Sequence, residues 1–245
     1  MRRRTKVLIA ALTALVLLAA LSLWLGKCVF VLRTIVVQGG SLDVETIAAA
    51  AGLAQGKSVW KLREEEVRVG INSLGRVYLD TYQLKLPDKL LLRVKERTPE
   101  AMLKCGEELL LLDGACCAIG AVEEAPDRDL IYLSGLEVSW APGEILSDTE
   151  GRAALCREIL GSLEERQAGM YVSEIDLSDP EDLRIITRSG ILVLLGDSRG
   201  ISEKLALMQA AVADLEGTGA TGGTLRLIDG SRADYSPPCA DKVQT

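Results

Sequence analysis

The chain has 245 residues, of which 48% are apolar and 26% are charged, which is enough for one or two globular domains with hydrophobic cores. It contains no histidine, and this excludes Ser-His-Asp catalysis, Cys-His catalysis and His-ligated zinc. The net charge of -7 is uneven: residues 99–245 hold 12 basic and 27 acidic side chains, whereas the preceding part is basic. Because no basic patch is interleaved with aromatic residues, nucleic-acid binding is not expected.

The N-terminal segment predicts a membrane anchor. Val7 to Gly26 are uncharged, and a helix of this length is about 30 Å long, which matches the hydrocarbon core of a bilayer. A cleaved signal peptide is the alternative, but the apolar run is longer than a typical signal sequence and offers no good cleavage site. The basic residues that precede the run orient the N-terminus towards the cytoplasm: Arg2, Arg3, Arg4 and Lys6. We therefore expect a cytoplasmic tail at 1–6 and a transmembrane helix at 7–26.

The segment after the anchor predicts a β-α-α-β-β unit. A strand rich in β-branched residues runs from Val29 to Gln38, and Ser41 is the expected N-cap of the first helix. Glu64 opens a second helix, in which Val67, Ile71 and Leu74 have helical spacing. Two strands follow at residues 77–86 and 90–97, with a turn at Pro87-Asp88 between them.

The rest of the chain predicts a mixed α/β region. Short strands are expected at Ala101–Lys104, Glu108–Leu112, Leu130–Leu133, Val172–Leu177, Leu183–Thr187, Ile191–Leu195 and Thr224–Ile228. One helix begins near Ser147 or Asp148, and a second runs over Ile201–Leu215 with one apolar stripe. Residues 229–245 lack periodicity and predict a flexible tail.

The six cysteines show no metal-ligand spacing. They lack C-x-x-C pairs and histidine companions, so no zinc site is expected. Outside the cytoplasm cysteines pair, and Cys105 with Cys116 or Cys117 is the nearest pair in sequence, although the sequence leaves the pairing open.

A series of short segments, in this order along the chain, resembles the bacterial cell-division family FtsQ/DivIB. They are Val36-Val37-Gln38-Gly39, Pro87-Asp88-Lys89-Leu90, Lys95-Glu96-Arg97-Thr98-Pro99-Glu100-Ala101, Asp113-Gly114, Leu194-Leu195-Gly196, Lys204-Leu205 and Asp229. The resemblance implies an α+β fold: an N-terminal transmembrane helix, a POTRA domain at 29–97, a "β-domain" at 98–228 and a disordered tail at 229–245.

The resemblance also implies a function. Members of the family are non-enzymatic scaffolds without cofactor or metal, at the division septum, with their outer domains beyond the cytoplasmic membrane. Their partners are FtsL-like and FtsB/DivIC-like single-pass proteins and, indirectly, the septal peptidoglycan synthase. In the family, the partner pairs along the last strand, which implies partner-binding residues here at Thr224, Leu225, Arg226, Leu227, Ile228 and Tyr235.

Elementary physics gives this binding mode a reason, because a terminal strand has an open edge whose N–H and C=O groups accept an incoming strand. In the alternative, Thr224–Ile228 is an internal strand that the chain's own tail covers. Two other functions also remain open: a POTRA-bearing transport or assembly component, and an anchored cell-wall hydrolase that uses a carboxylate pair.

Overall fold

A computed structural model describes residues 11–22, 24, 29–126, 129–228 and 231–238. The chain divides into two compact units, one ending at Glu96 and the other beginning at Arg97. Residues 11–22 are helical, whereas residues 7–10, 23, 25 and 26 of the predicted span lie outside the described residues. Among the helices that are described, none combines the length and the apolar character needed to cross a bilayer.

The first unit has the predicted β-α-α-β-β order. Its elements are β1 (Thr34–Gln38), α1 (Val44–Ala50), α2 (Glu64–Asn72), β2 (Val77–Lys85) and β3 (Lys89–Glu96), with a 3-10 turn at Val59–Lys61. The sheet order is β1-β3-β2, with β1 parallel and β2 antiparallel to β3. Ile47, Val67 and Ile71 of the two helices are buried in one core with residues of the sheet.

The start of α1 corrects one prediction. The N-cap is Asp43 and not Ser41, because the Asp43 carboxylate accepts hydrogen bonds from the backbone N–H and the hydroxyl of Thr46. These bonds lower the pKa of Asp43, the hydroxyl bond most strongly. The Ser41 N–H instead donates to the Glu96 carboxylate at the end of β3, 2.6 Å away.

In the described part of the second unit, a sheet of nine strands packs against two helices. Its elements are β4 (Ala101–Cys105), β5 (Glu108–Leu112), β6 (Ala118–Val122), β7 (Ile131–Ser134), α3 (Arg152–Glu165), β8 (Val172–Asp176), β9 (Leu183–Thr187), β10 (Leu192–Gly196), α4 (Ile201–Gly217), β11 (Thr224–Ile228) and β12 (Arg232–Ser236). The strand order is β12-β11-β10-β9-β8-β7-β4-β5-β6. Helices and strands share one core, in which Ile159 of α3 and Met208 of α4 are fully buried.

The helix boundaries follow local chemistry. The Asp148 carboxylate accepts hydrogen bonds from the backbone N–H groups of Arg152 and Ala153 and so fixes the first turn of α3.

The predicted apolar stripe of α4 is confirmed, since Ile201, Leu205, Met208 and Val212 are buried. The sequence therefore predicted the core-facing side of this helix correctly.

Two strands were not predicted. One is β6, whose sequence Ala-Ile-Gly-Ala-Val contains a central glycine and small residues. The other is β12, which falls inside the segment expected to be a flexible tail. That expectation is wrong for residues 232–236, because they pair with β11 along its whole length. Residues 229, 230 and 239–245 of the predicted tail lie outside the described residues.

Candidate partner-binding edge

The strand β12 forms one end of the nine-stranded sheet. It pairs antiparallel with β11, from Thr224 opposite Ser236 to Ile228 opposite Arg232. Among the described residues no strand pairs with its other side. That side therefore offers a row of backbone N–H and C=O groups to an incoming strand.

The strand β11 is internal, which corrects the prediction that Thr224–Ile228 ends the sheet. It lies between β10, with which it pairs in parallel, and β12. Leu225 and Leu227 are only 1% and 6% exposed because they pack in the core. A partner at this end of the sheet would therefore meet β12 first, and these two leucines support the edge from behind.

Tyr235 is a predicted site residue that lies on β12 itself, opposite Leu225. Its half-buried ring packs against the core, and its hydroxyl donates a hydrogen bond to the backbone carbonyl of Gly222, 2.9 Å away. A Cβ at Gly223 would lie 2.9 Å from the hydroxyl oxygen and 2.6 Å from the carbonyl oxygen of Ser236. Tyr235 therefore anchors β12 to the loop before β11, and this contact requires glycine at position 223.

Two of the three exposed side chains of β12 are charged, Arg232 and Asp234, and the third is Ser236. Arg226 lies opposite Asp234 in the strand register, and Asp234 accepts a hydrogen bond from the Arg232 guanidinium at 2.9 Å. The ion pair with Asp234 partly neutralises the charge of Arg232. The surface beside the open backbone is therefore polar with alternating charge, and a partner strand of complementary charge would fit it.

The turn between β10 and α4, which we call the corner, is joined to α4 by hydrogen bonds, and α4 packs behind this edge. The ammonium of Lys204 is buried and donates hydrogen bonds to the carboxylate and the backbone carbonyl of Asp197, at 2.9 and 2.8 Å. Arg199 donates to the same carboxylate, and together the two cations lower the pKa of Asp197 to about 2, Arg199 being the larger cause. Since α4 packs on β10, β11 and β12, this corner helps to fix the position of the edge.

Among the described residues no group of three or more Cys, Asp or Glu side chains is placed to hold a metal ion. Of the predicted residues, Tyr235 is on the edge strand β12, whereas Thr224, Leu225, Arg226, Leu227 and Ile228 are on β11, one strand behind it. The Arg226 side chain is exposed. The strand β12 was not predicted, although Ala233 and Tyr235 alternate there with polar Arg232, Asp234 and Ser236.

Comparisons with known proteins found similarity to a family model and to a solved structure. Residues 30–97 match the family model described as the POTRA domain, FtsQ-type. A solved structure, the major extracytoplasmic domain of the trans isomer of the bacterial cell division protein DivIB from Geobacillus stearothermophilus, is 20% identical in sequence, with a TM-score of 0.33. The match covers 50% of this chain and 96% of that chain. No curated protein sequence matches the chain.

Proposed function

We propose that this chain is a non-enzymatic scaffold of the bacterial cell-division machinery, because residues 30–97 match the POTRA domain of the FtsQ type, a domain that the resemblance implied for residues 29–97. It recruits FtsL-like and FtsB/DivIC-like single-pass proteins and, through them, the septal peptidoglycan synthase. The protein acts at the division septum, on the outer side of the cytoplasmic membrane. The match to the FtsQ-type domain is the single observation that carries this proposal.

The membrane anchor is part of the proposal. The uncharged run from Val7 to Gly26 would favour insertion by about 5 kcal/mol on an insertion scale for apolar residues at the centre of a helix. Protease added to protoplasts should then digest the two units and leave a short membrane-embedded fragment. Full protection of the chain would contradict the outward orientation.

The partner joins the sheet by strand addition at β12. Main-chain hydrogen bonds from an added strand would supply affinity, and pairing with the charges at Arg232 and Asp234 would supply selectivity. The buried leucines of β11 and the anchored ring of Tyr235 hold the edge in an extended conformation before the partner arrives. A rigid edge lowers the entropic cost of binding.

Site-specific photo-cross-linking in living cells tests this binding mode. A benzophenone amino acid is placed at Arg232, Asp234 or Ser236, which are exposed on β12. We expect each to cross-link to a small single-pass membrane protein, and a fluorescent fusion of the chain to label the septum. The matched control is Arg184, which is exposed on β9, three strands away in the same sheet.

The outcomes separate the two levels of the proposal. Equal cross-linking from β9 and β12, or none from β12 while septal labelling persists, would refute strand addition and leave the division role standing. Uniform membrane labelling with no division protein captured from any position would refute the division role itself.

A further inference from the structure

Two cysteines lie side by side in the core of the second unit. The Sγ atoms of Cys116 and Cys156 are 3.5 Å apart, and both residues are 0% exposed. Cys116 follows β5 in the turn that leads to β6, whereas Cys156 is on α3, 40 residues later in the chain. The contact therefore joins a turn of the sheet to the helix that packs on it.

The backbone around Cys116 is held from several sides. The Asp113 carboxylate accepts hydrogen bonds from the backbone N–H groups of Ala115 and Cys117, at 3.0 and 2.9 Å, and is itself paired with Arg97. Cys116 has a φ of +56°, and its carbonyl accepts a hydrogen bond from the N–H of Leu146. A residue other than glycine keeps a left-handed conformation only where its surroundings enforce it, so the position of the Cys116 backbone is fixed.

The helix that bears Cys156 is equally fixed. The Asp148 carboxylate caps the first turn of α3, and Ala153, Ile159 and Leu160 on the same helix are buried with Cys156. Neither thiol therefore needs a large movement of its element to meet the other. A disulfide requires an approach of about 1.5 Å from the present separation, since an S–S bond is about 2.05 Å long.

We propose that Cys116 and Cys156 form a disulfide that ties the β5–β6 turn to α3. The oxidant is a small-molecule or protein disulfide: the thiolate of one cysteine attacks it and forms a mixed disulfide, with release of one thiol. The second cysteine then displaces the remaining thiol and closes the bond. Two protein thiols are oxidised, one external disulfide is reduced to two thiols, and the protons of the protein thiols pass to the leaving thiolates.

The other described cysteines are poorly placed for this bond, including Cys105, which is the nearest candidate in sequence. Cys105 is opposite Glu108 at the far end of β5 from the turn, and β5 separates it from that turn by about 13 Å at strand spacing. This exceeds the Cα separation that a disulfide spans. Cys117 follows Cys116 directly, and adjacent cysteines bond only with strain.

Burial determines when the bond forms. The hydrogen bond with Cys116 is the larger cause, and burial the smaller, of a raised pKa of Cys156. The reactive thiolate is therefore scarce in the folded chain. Oxidation should therefore occur during folding, before the core closes, and the finished bond should resist added reductant. In the cell this rests on the outward location in the proposed function, because disulfides persist outside the reducing cytoplasm.

The test is oxidative refolding of the purified full chain in detergent with a mixture of oxidised and reduced glutathione, followed by acid quenching, alkylation and tryptic mass spectrometry. We expect the peptide of residues 153–157 to be linked to that of residues 105–128, and fragmentation to assign the bond to Cys116. The oxidised chain should unfold at a temperature about 10 °C above that of the reduced chain.

Variants sharpen the result. Cys156→Ser should abolish both the linked peptide and the temperature shift, whereas the matched control Cys117→Ser should keep both. A bond from Cys156 to Cys105 or Cys117, or two free thiols at positions 116 and 156 in the refolded wild-type chain, would overturn the proposal. The wild-type peptide assignment decides the matter even if a serine variant fails to fold, and it does so independently of any role in division.

Discussion

Replacing Gly70 with alanine should destabilise the first unit, although alanine is normally the better helix former. Gly70 lies in α2, and a Cβ at this position would be 2.2 Å from the carbonyl oxygen of Ala50 and 2.8 Å from the Cα of Ala51. Ordinary contacts of a Cβ begin near 3.4 Å. The atoms in the way belong to the backbone at the end of α1, so no side-chain rotation relieves the clash.

The magnitude follows from two opposing terms. In an exposed helix interior, Gly→Ala stabilises by about 1 kcal/mol, because glycine loses more conformational entropy on folding. Here α1 and α2 must separate by about 1 Å, and overpacking of this kind costs about 1–3 kcal/mol. With backbone atoms as the obstacle we take the upper end, which leaves a net loss of about 2 kcal/mol in the free energy of unfolding.

Hydrogen exchange measured by mass spectrometry reads the two units separately. A loss of about 2 kcal/mol should speed exchange of the most protected amides of α1 and α2 by roughly 30-fold and leave α3 and α4 unchanged. The matched control is Gly161→Ala in α3, where a Cβ meets nothing within 4 Å. That variant should slow exchange in the second unit by up to about fivefold. Unchanged or slower exchange in α1 and α2 of the Gly70→Ala variant would refute the reasoning.

Three further predictions concern the second unit. Asp148→Ala removes the carboxylate that caps α3 and should cost about 1 kcal/mol, whereas Asp148→Asn should retain most of the stability in urea unfolding. The pKa of Asp197 is depressed to about 2 by its cations, so its stabilising effect is complete above the unfolded pKa near 3.8 and is lost as pH falls towards 2. Asp197→Asn should therefore flatten the loss of stability between about pH 4 and pH 2, and an unchanged acid limb would contradict the pairing of Asp197 with Arg199 and Lys204. Gly223→Ala should displace Tyr235, lowering photo-cross-linking from β12 while protein levels stay constant; full cross-linking would exclude the proposed anchor.

The edge strand β12 could not be predicted from the sequence. Leu225 and Leu227 alternate with polar residues, so the strand β11 could be read from the sequence. Whether that strand ends the sheet depends on what pairs with its other side, and the paired residues 232–236 are mostly polar because an edge strand buries only part of one face. Their composition resembled that of a tail for this reason.

The contact between Cys116 and Cys156 could not be predicted from the sequence either. Proximity in sequence favoured Cys105 as a partner, but a disulfide depends on distance in space, and the packing of α3 on the sheet brings Cys156 to Cys116 across 40 residues. No local pattern encodes that contact. It exists only because the turn after β5 and the second turn of α3 meet in one core.

The sequence by itself determined the β-α-α-β-β order of the first unit, the apolar face of α4 and the FtsQ-type resemblance that the match over residues 30–97 confirms. The element order and the apolar face rest on periodicity between residues close in the chain, whereas the resemblance rests on short segments in a fixed order along it. Tertiary structure alone decided that β12 covers β11, that Tyr235 anchors the edge, and that two distant thiols are neighbours. These features depend on pairing and packing between segments far apart in sequence, whose energies no single segment reveals.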